Sequence, residues 1–136
     1  YGNIVNSIAS YINNHEYIIT NFSGQRGANK VATKRDCFVL MNCDEEKYHN
    51  IPQIEAGVLV FKKTEYMILF INEWLSYCKN KNIITDIPNE HGNNLEGFVD
   101  HRHDQSILTN LTVRHNFQYS DVLLSHINYN AYIPKP

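Results

Sequence analysis

The chain is poor in the features on which small specialised folds depend. Its cysteines, Cys37, Cys43 and Cys78, are odd in number and none is spaced as a metal knuckle. That excludes a disulfide scaffold and a zinc ribbon. They read as reduced, mostly buried small side chains, which suits a cytoplasmic setting. No apolar run approaches the roughly 20 residues that cross a bilayer, and no charged-then-apolar leader opens the sequence. A soluble protein is the expectation. Charge of one sign is missing too: 12 basic residues face 14 acidic ones, for a formal net charge of -2. With no basic stripe beyond the short stretch from Lys30 to Arg35, a nucleic-acid partner is not expected. No internal repeat or low-complexity block divides the 136 residues. Residues 1–136 therefore read as one domain, long enough for a real hydrophobic core. The chain opens on Tyr1 rather than methionine, as an excised piece of a longer protein would.

What is present follows two hydrophobic periods. Ile4, Val5, Ile8, Ala9 and Ile12 keep helical spacing, and Tyr17-Ile18-Ile19-Thr20 reads as a short strand. Ser23-Gly24-Gln25-Arg26-Gly27 is a polar loop that lacks the phosphate-cradling pattern. Cys37 to Met41 is a core segment, extended or helical, and Asn42 to Pro52 is turn-like. The run Gly57-Val58-Leu59-Val60-Phe61 predicts a strand covered on both faces by helices. Thr64 is placed to cap a helix whose stripe is Met67, Ile71, Trp74 and Cys78, widened by Ile68 and Leu75. Ile83 to Glu96 is a long polar loop, the kind that serves as a movable rim or simply lies solvated. Val113 to Pro136 reads as loops with short extended pieces. The order predicts an α/β fold, in which ligands sit beyond the carboxyl ends of strands.

The densest chemistry lies in Phe98-Val99-Asp100-His101-Arg102-His103-Asp104-Gln105-Ser106-Ile107-Leu108. Carboxylates, imidazoles, an amide and a guanidinium there run straight into apolar residues at helical spacing. Three accounts fit. Asp104 could cap the helix, with the histidines as surface decoration. His101, His103 and an aspartate could ligate a divalent metal, as in a metal-dependent hydrolase. Asp104 and Gln105 could instead hold a hydroxyl-rich ligand. For Arg102 the bland account is a salt bridge with Asp100 or Asp104.

Together with Ile54-Glu55-Ala56-Gly57-Val58-Leu59-Val60-Phe61 and the Trp-bearing segment after it, Asp104-Gln105-Ser106-Ile107-Leu108 resembles the second half of a GT-A fold glycosyltransferase of the galactosyltransferase-like group, family 8 and its relatives. The resemblance covers roughly residues 34–111. It implies a partial GT-A mixed sheet flanked by helices, and transfer of a sugar from a nucleotide-sugar donor to a glycan or glycoconjugate hydroxyl, helped by Mn²⁺ or Mg²⁺. By matching positions it implies acceptor-side roles for Glu55, Ala56 and Gly57, and sugar-facing roles for Asp104 and Gln105. Arg102 and Asp86 would bind substrate, and His103 would serve as acid, base or metal ligand beside His101. The early Asp-x-Asp metal motif of that family has no copy here. A rival reading is therefore a non-catalytic glycosyltransferase-like module that binds a glycan or a protein.

Overall fold

The computed structural model describes residues 2–21 and 27–120, with side chains from Ile8 onward. It is a mixed α/β arrangement. Helix α1 (Gly2–Asn14) leads into strand β1 (Tyr17–Asn21). A 3₁₀ turn at Asn29–Val31 then precedes α2 (Arg35–Leu40), the one-turn helix α3 (Glu46–His49) and strand β2 (Ile54–Phe61). Helices α4 (Glu65–Cys78), α5 (Lys81–Ile84) and α6 (His103–Arg114) complete the described residues. Cys37 to Met41 thus resolves as helix. The polar loop at Ser23 and the chain beyond Ser120 lie outside the described residues. None of the described helices is long and apolar enough to cross a membrane.

The sheet departs from the expected covered strand. β1 and β2 pair antiparallel, Tyr17 opposite Phe61 and Asn21 opposite Ile54. Between the pairs Ile18–Val60 and Thr20–Glu55, β2 advances five residues where β1 advances two. This bulge, centred on Ala56 to Leu59, bends the apolar run and leaves it half-buried, with Gly57 exposed. Of β2 only Ile54 is fully enclosed.

Helix α4 keeps its expected cap, the Thr64 hydroxyl accepting from the Met67 N–H at 3.3 Å. Met67 and Phe70 face the core, and Ile71, Trp74 and Cys78 pack against it. Ile68 and Leu75 do not widen that stripe; both are exposed, because they stand on the solvent side of the helix.

The centre of the fold is α6. Every residue from Ser106 to Thr112 is buried, although four of the seven are polar. Ile107, Leu108 and Leu111 meet Phe38, Met41, Phe70 and Ile83 in the core. The polar side enters a closed hydrogen-bond network. Asn29 donates to the Tyr48 carbonyl and to Asn110 Oδ1, each at 2.9 Å, and its own Oδ1 accepts from the Thr33 hydroxyl at 2.7 Å. The amide nitrogen of Gln53 lies 3.2 Å from Asn29 Oδ1 and from Ser106 Oγ, which itself donates to the Ala32 carbonyl at 2.7 Å. Gln105 donates to the Ile54 carbonyl at 2.8 Å, and Thr109 Oγ1 accepts from the Ile54 N–H at 3.3 Å. Buried donors left without partners cost about 1–3 kcal/mol each, so Asn29→Ala should lower unfolding free energy by at least about 2 kcal/mol in urea melts. A loss below about 0.5 kcal/mol, the size of an ordinary surface change, would show that the network does not hold the fold.

Candidate functional site

The strip from Thr85 to Asp100 arches over the start of α2 and borders a half-open pocket of about 540 Å³. Lys34, Asp86, Asn89, Phe98, Asp100, Arg102 and His103 are among the residues on its walls. Gly92 and Gly97 take positive φ, 110° and 86°, which lets the strip turn twice without strain.

Two buried charges of opposite sign tether this strip to the start of α2. The Lys34 ammonium donates to the Thr85 and Ile87 carbonyls at 3.2 and 2.6 Å. The Asp36 carboxylate accepts from the Glu90 and His91 N–H groups, each at 2.9 Å, and from His91 Nδ1 at 3.2 Å. Asn89 and Asn94 accept from the Asp36 and Arg35 N–H groups at 3.1 and 2.8 Å. Burial alone would raise the Asp36 pKa; the backbone N–H groups of Glu90 and His91, with the His91 ring, outweigh it and hold the carboxyl below its ordinary value.

At the far end of the strip, Val99 and Arg102 donate backbone bonds to the Val31 and Ala32 carbonyls at 2.8 and 3.0 Å. This aims the ionisable cluster. His101 turns inward: its Nδ1 accepts from the Lys34 N–H at 3.3 Å and its Nε2 donates to the Ile83 carbonyl at 2.8 Å. Both ring nitrogens are thus committed to backbone, which leaves no lone pair for the metal-ligand role considered for His101. Burial is the main cause pushing its pKa down to about 4. His103 begins α6 with φ of +49°, a conformation rare outside glycine and costing roughly 1–3 kcal/mol. Its Nε2 lies 3.0 Å from Asp86 Oδ2. That bond is the first cause lowering the Asp86 pKa. Arg102 forms the plain ion pair with Asp100, at 2.7 Å.

The next two residues leave the pocket. Asp104 lies in the first turn of α6 rather than at its cap, where Arg102 stands with no capping side-chain bond. It is exposed, and its carbonyl accepts from Trp74 Nε1 at 3.2 Å. Gln105 points the other way, into the network at Gln53 and Ile54. Glu55 accepts from the Thr20 hydroxyl at 3.1 Å on the sheet, and neither it nor Ala56 nor Gly57 lines the pocket. The pocket therefore gathers Asp86, His101, Arg102 and His103 and not the other candidates. Lys34 and Asp36 were not singled out in the sequence. A short Lys-Arg-Asp step before an apolar turn carries no signal that two of its members are interior.

Among the described residues no three His, Cys, Asp or Glu side chains assemble as a metal set. At the pocket Asp86 and Asp100 are engaged by His103 and Arg102, and a lysine lies on the same wall. These side chains alone do not fit the oxygen cage that Mn²⁺ or Mg²⁺ requires. No protein-family model, curated protein or solved structure matches this chain.

Two outcomes test this geometry. Because the folded Asp36 carboxyl titrates below its ordinary value, its stabilisation is present above that value and is lost as pH falls through the folded one. Asp36→Asn should cost about 1–3 kcal/mol at neutral pH, and the gap from wild type should close in acid melts; a gap that stays constant to roughly pH 2, well below the ordinary carboxylate value, would contradict the tether. His101 should stay neutral across the ordinary imidazole range, its ring NMR shifts moving only near pH 4. Since the unfolded ring takes up its proton first, stability should decline as pH falls from about 6.5 towards that value. A His101 midpoint near the ordinary value would mean that the ring is not enclosed.

Proposed function

We propose that this chain is the acceptor-side portion of a GT-A type glycosyltransferase, and that the pocket beside α6 receives the sugar hydroxyl to which transfer occurs. The observation that carries this reading is the Asp86–His103 pair on the pocket wall. With Nε2–H directed at Asp86, the His103 Nδ1 lone pair is left to accept a proton, and the carboxylate stabilises the imidazolium that forms. In the transfer, the acceptor oxygen bonds to the anomeric carbon of the donor sugar and its proton passes to His103. The bond from that carbon to the nucleoside diphosphate breaks, and the electron pair leaves with the phosphate. The positive φ of His103 supports a functional assignment, since strained backbone concentrates at working sites.

In this reading Gln105 is a positioning residue, holding the first turn of α6 against Ile54. Arg102 and Asp100 present hydrogen-bonding groups to sugar hydroxyls. The nucleotide-sugar donor and the divalent ion that the resemblance implies would be held by groups outside this pocket, and no step above runs through the ion. A glycan- or protein-binding module without turnover is the second reading, favoured by the missing early Asp-x-Asp motif in this sequence.

The test is donor turnover by the full gene product, measured with a panel of nucleotide sugars. Asparagine tolerates positive φ, so His103→Asn should keep the melting temperature within about 4 °C, less than a loss of 1 kcal/mol would cause, while turnover drops by at least about 100-fold, the usual yield of a general base. Undiminished turnover in that variant removes His103 from the chemistry. Saturable glycan binding with no turnover of any donor selects the binding module instead.

A further inference from the structure

Lys34 is a charged group of the pocket that the proposed transfer does not use. It stands directly before α2 with 3% of its surface exposed, yet it lines the pocket. The Thr85 and Ile87 carbonyls take two of its three ammonium protons. Neither carbonyl carries a charge, and Lys34 forms no ion pair among the described residues. A buried ammonium without a counter-ion is unfavourable, and enclosed charges are as a rule paired. The carboxylates on the same wall make their direct bonds elsewhere, Asp86 with His103 and Asp100 with Arg102, and Asp86 meets Lys34 only through longer-range attraction. Arg102 adds a second unmet donor, for its Nε is buried and has no hydrogen-bond partner.

We infer that the pocket binds a sugar bearing a carboxylate, a uronic-acid type of acceptor, whose anionic group sits against Lys34 and Arg102. This rests on the glycosyltransferase reading of the same pocket and adds to it the class of substrate. Lys34 and Arg102 are the cations of the wall and Asp86 and Asp100 its carboxylates, so one added carboxylate can meet the two donors without crowding the acids. A diphosphate would bring more negative charge than one ammonium offsets and would press it against Asp86 and Asp100. The volume of about 540 Å³ suits a sugar ring, since small-molecule sites span roughly 300–1,000 Å³. The hydroxyls would meet the outer oxygens of Asp86 and Asp100.

The test is a comparison of glucuronate, glucuronamide, acetate and pyrophosphate as ligands of the full chain at constant ionic strength, followed by NMR or calorimetry. Glucuronate and glucuronamide differ only in charge at the group that Lys34 would meet. A charge-assisted hydrogen bond to a buried ammonium predicts a Kd for glucuronate at least about tenfold below that for glucuronamide. Acetate should bind far more weakly than glucuronate. Lys34→Gln, which can still donate to the Thr85 and Ile87 carbonyls, should erase the difference. Equal affinity of wild type for the two sugars overturns the inference without help from any variant, and leaves the transferase reading to its own turnover assay. Acetate binding as tightly as glucuronate would overturn the sugar assignment. Pyrophosphate binding more tightly than glucuronate would overturn the choice of a carboxylate over a phosphate.

Discussion

The need to bury α6 on every side governs this structure. A helix whose interior residues include Ser106, Thr109, Asn110 and Thr112 cannot sit in an apolar core unless each polar group finds a partner. Those partners come from distant parts of the chain. Asn29 and Thr33 come from the segment around the 3₁₀ turn, and Gln53 with the Ile54 backbone comes from the head of β2. Apolar packing against Phe38, Phe70 and Ile83 supplies the burial but is not directional. The hydrogen bonds are directional, so they set how α6 is rotated and how far along its axis it sits. The orientation of its first turn, and with it the site, follows from that.

The pocket depends on a second, smaller device. Residues 85–100 contain no regular structure and bury little apolar surface, so hydrophobic packing cannot place them. Lys34 and Asp36 do so instead. They lie two positions apart, one on each side of the first residue of α2, with opposite charges facing opposite kinds of backbone group: a cation against carbonyls and a carboxylate against N–H donors. Charge-assisted bonds of this sort are stronger than neutral ones. The tether holds the pocket wall against α2 through bonds within the chain itself. It also leaves the Lys34 ammonium enclosed beside the pocket with a proton to spare.

Residues adjacent in sequence serve different tasks because each helical residue turns about 100° from the last. His103 faces Asp86, Asp104 faces solvent and α4, Gln105 faces β2 and Ser106 the interior. The dense cluster is therefore not a single site. His101 and His103, two positions apart, differ as widely: one is locked between backbone groups and the other is paired with a carboxylate on the pocket wall.

The amino-acid sequence by itself determined the elements with strong local signals. The α4 helix follows from the Thr64 cap and the Met67, Ile71, Trp74 and Cys78 spacing, and β1 from a β-branched apolar run. It also marked the stretch around His101 to His103 as chemically unusual, since so many ionisable groups side by side have no local structural use. Only the tertiary structure decided the rest. The bulge in β2 follows from its pairing with a shorter β1 at both ends, and the buried state of α6 from polar groups 53 and 81 positions away. The roles of Lys34 and Asp36 could not be read locally, because a lysine and an aspartate beside a helix start are ordinarily solvated. Their burial comes from a strip some fifty residues later folding over them. Spacing along the chain specifies which faces can form; which groups lose water, and so which charges are left to bind something, is set by what the rest of the chain lays against them.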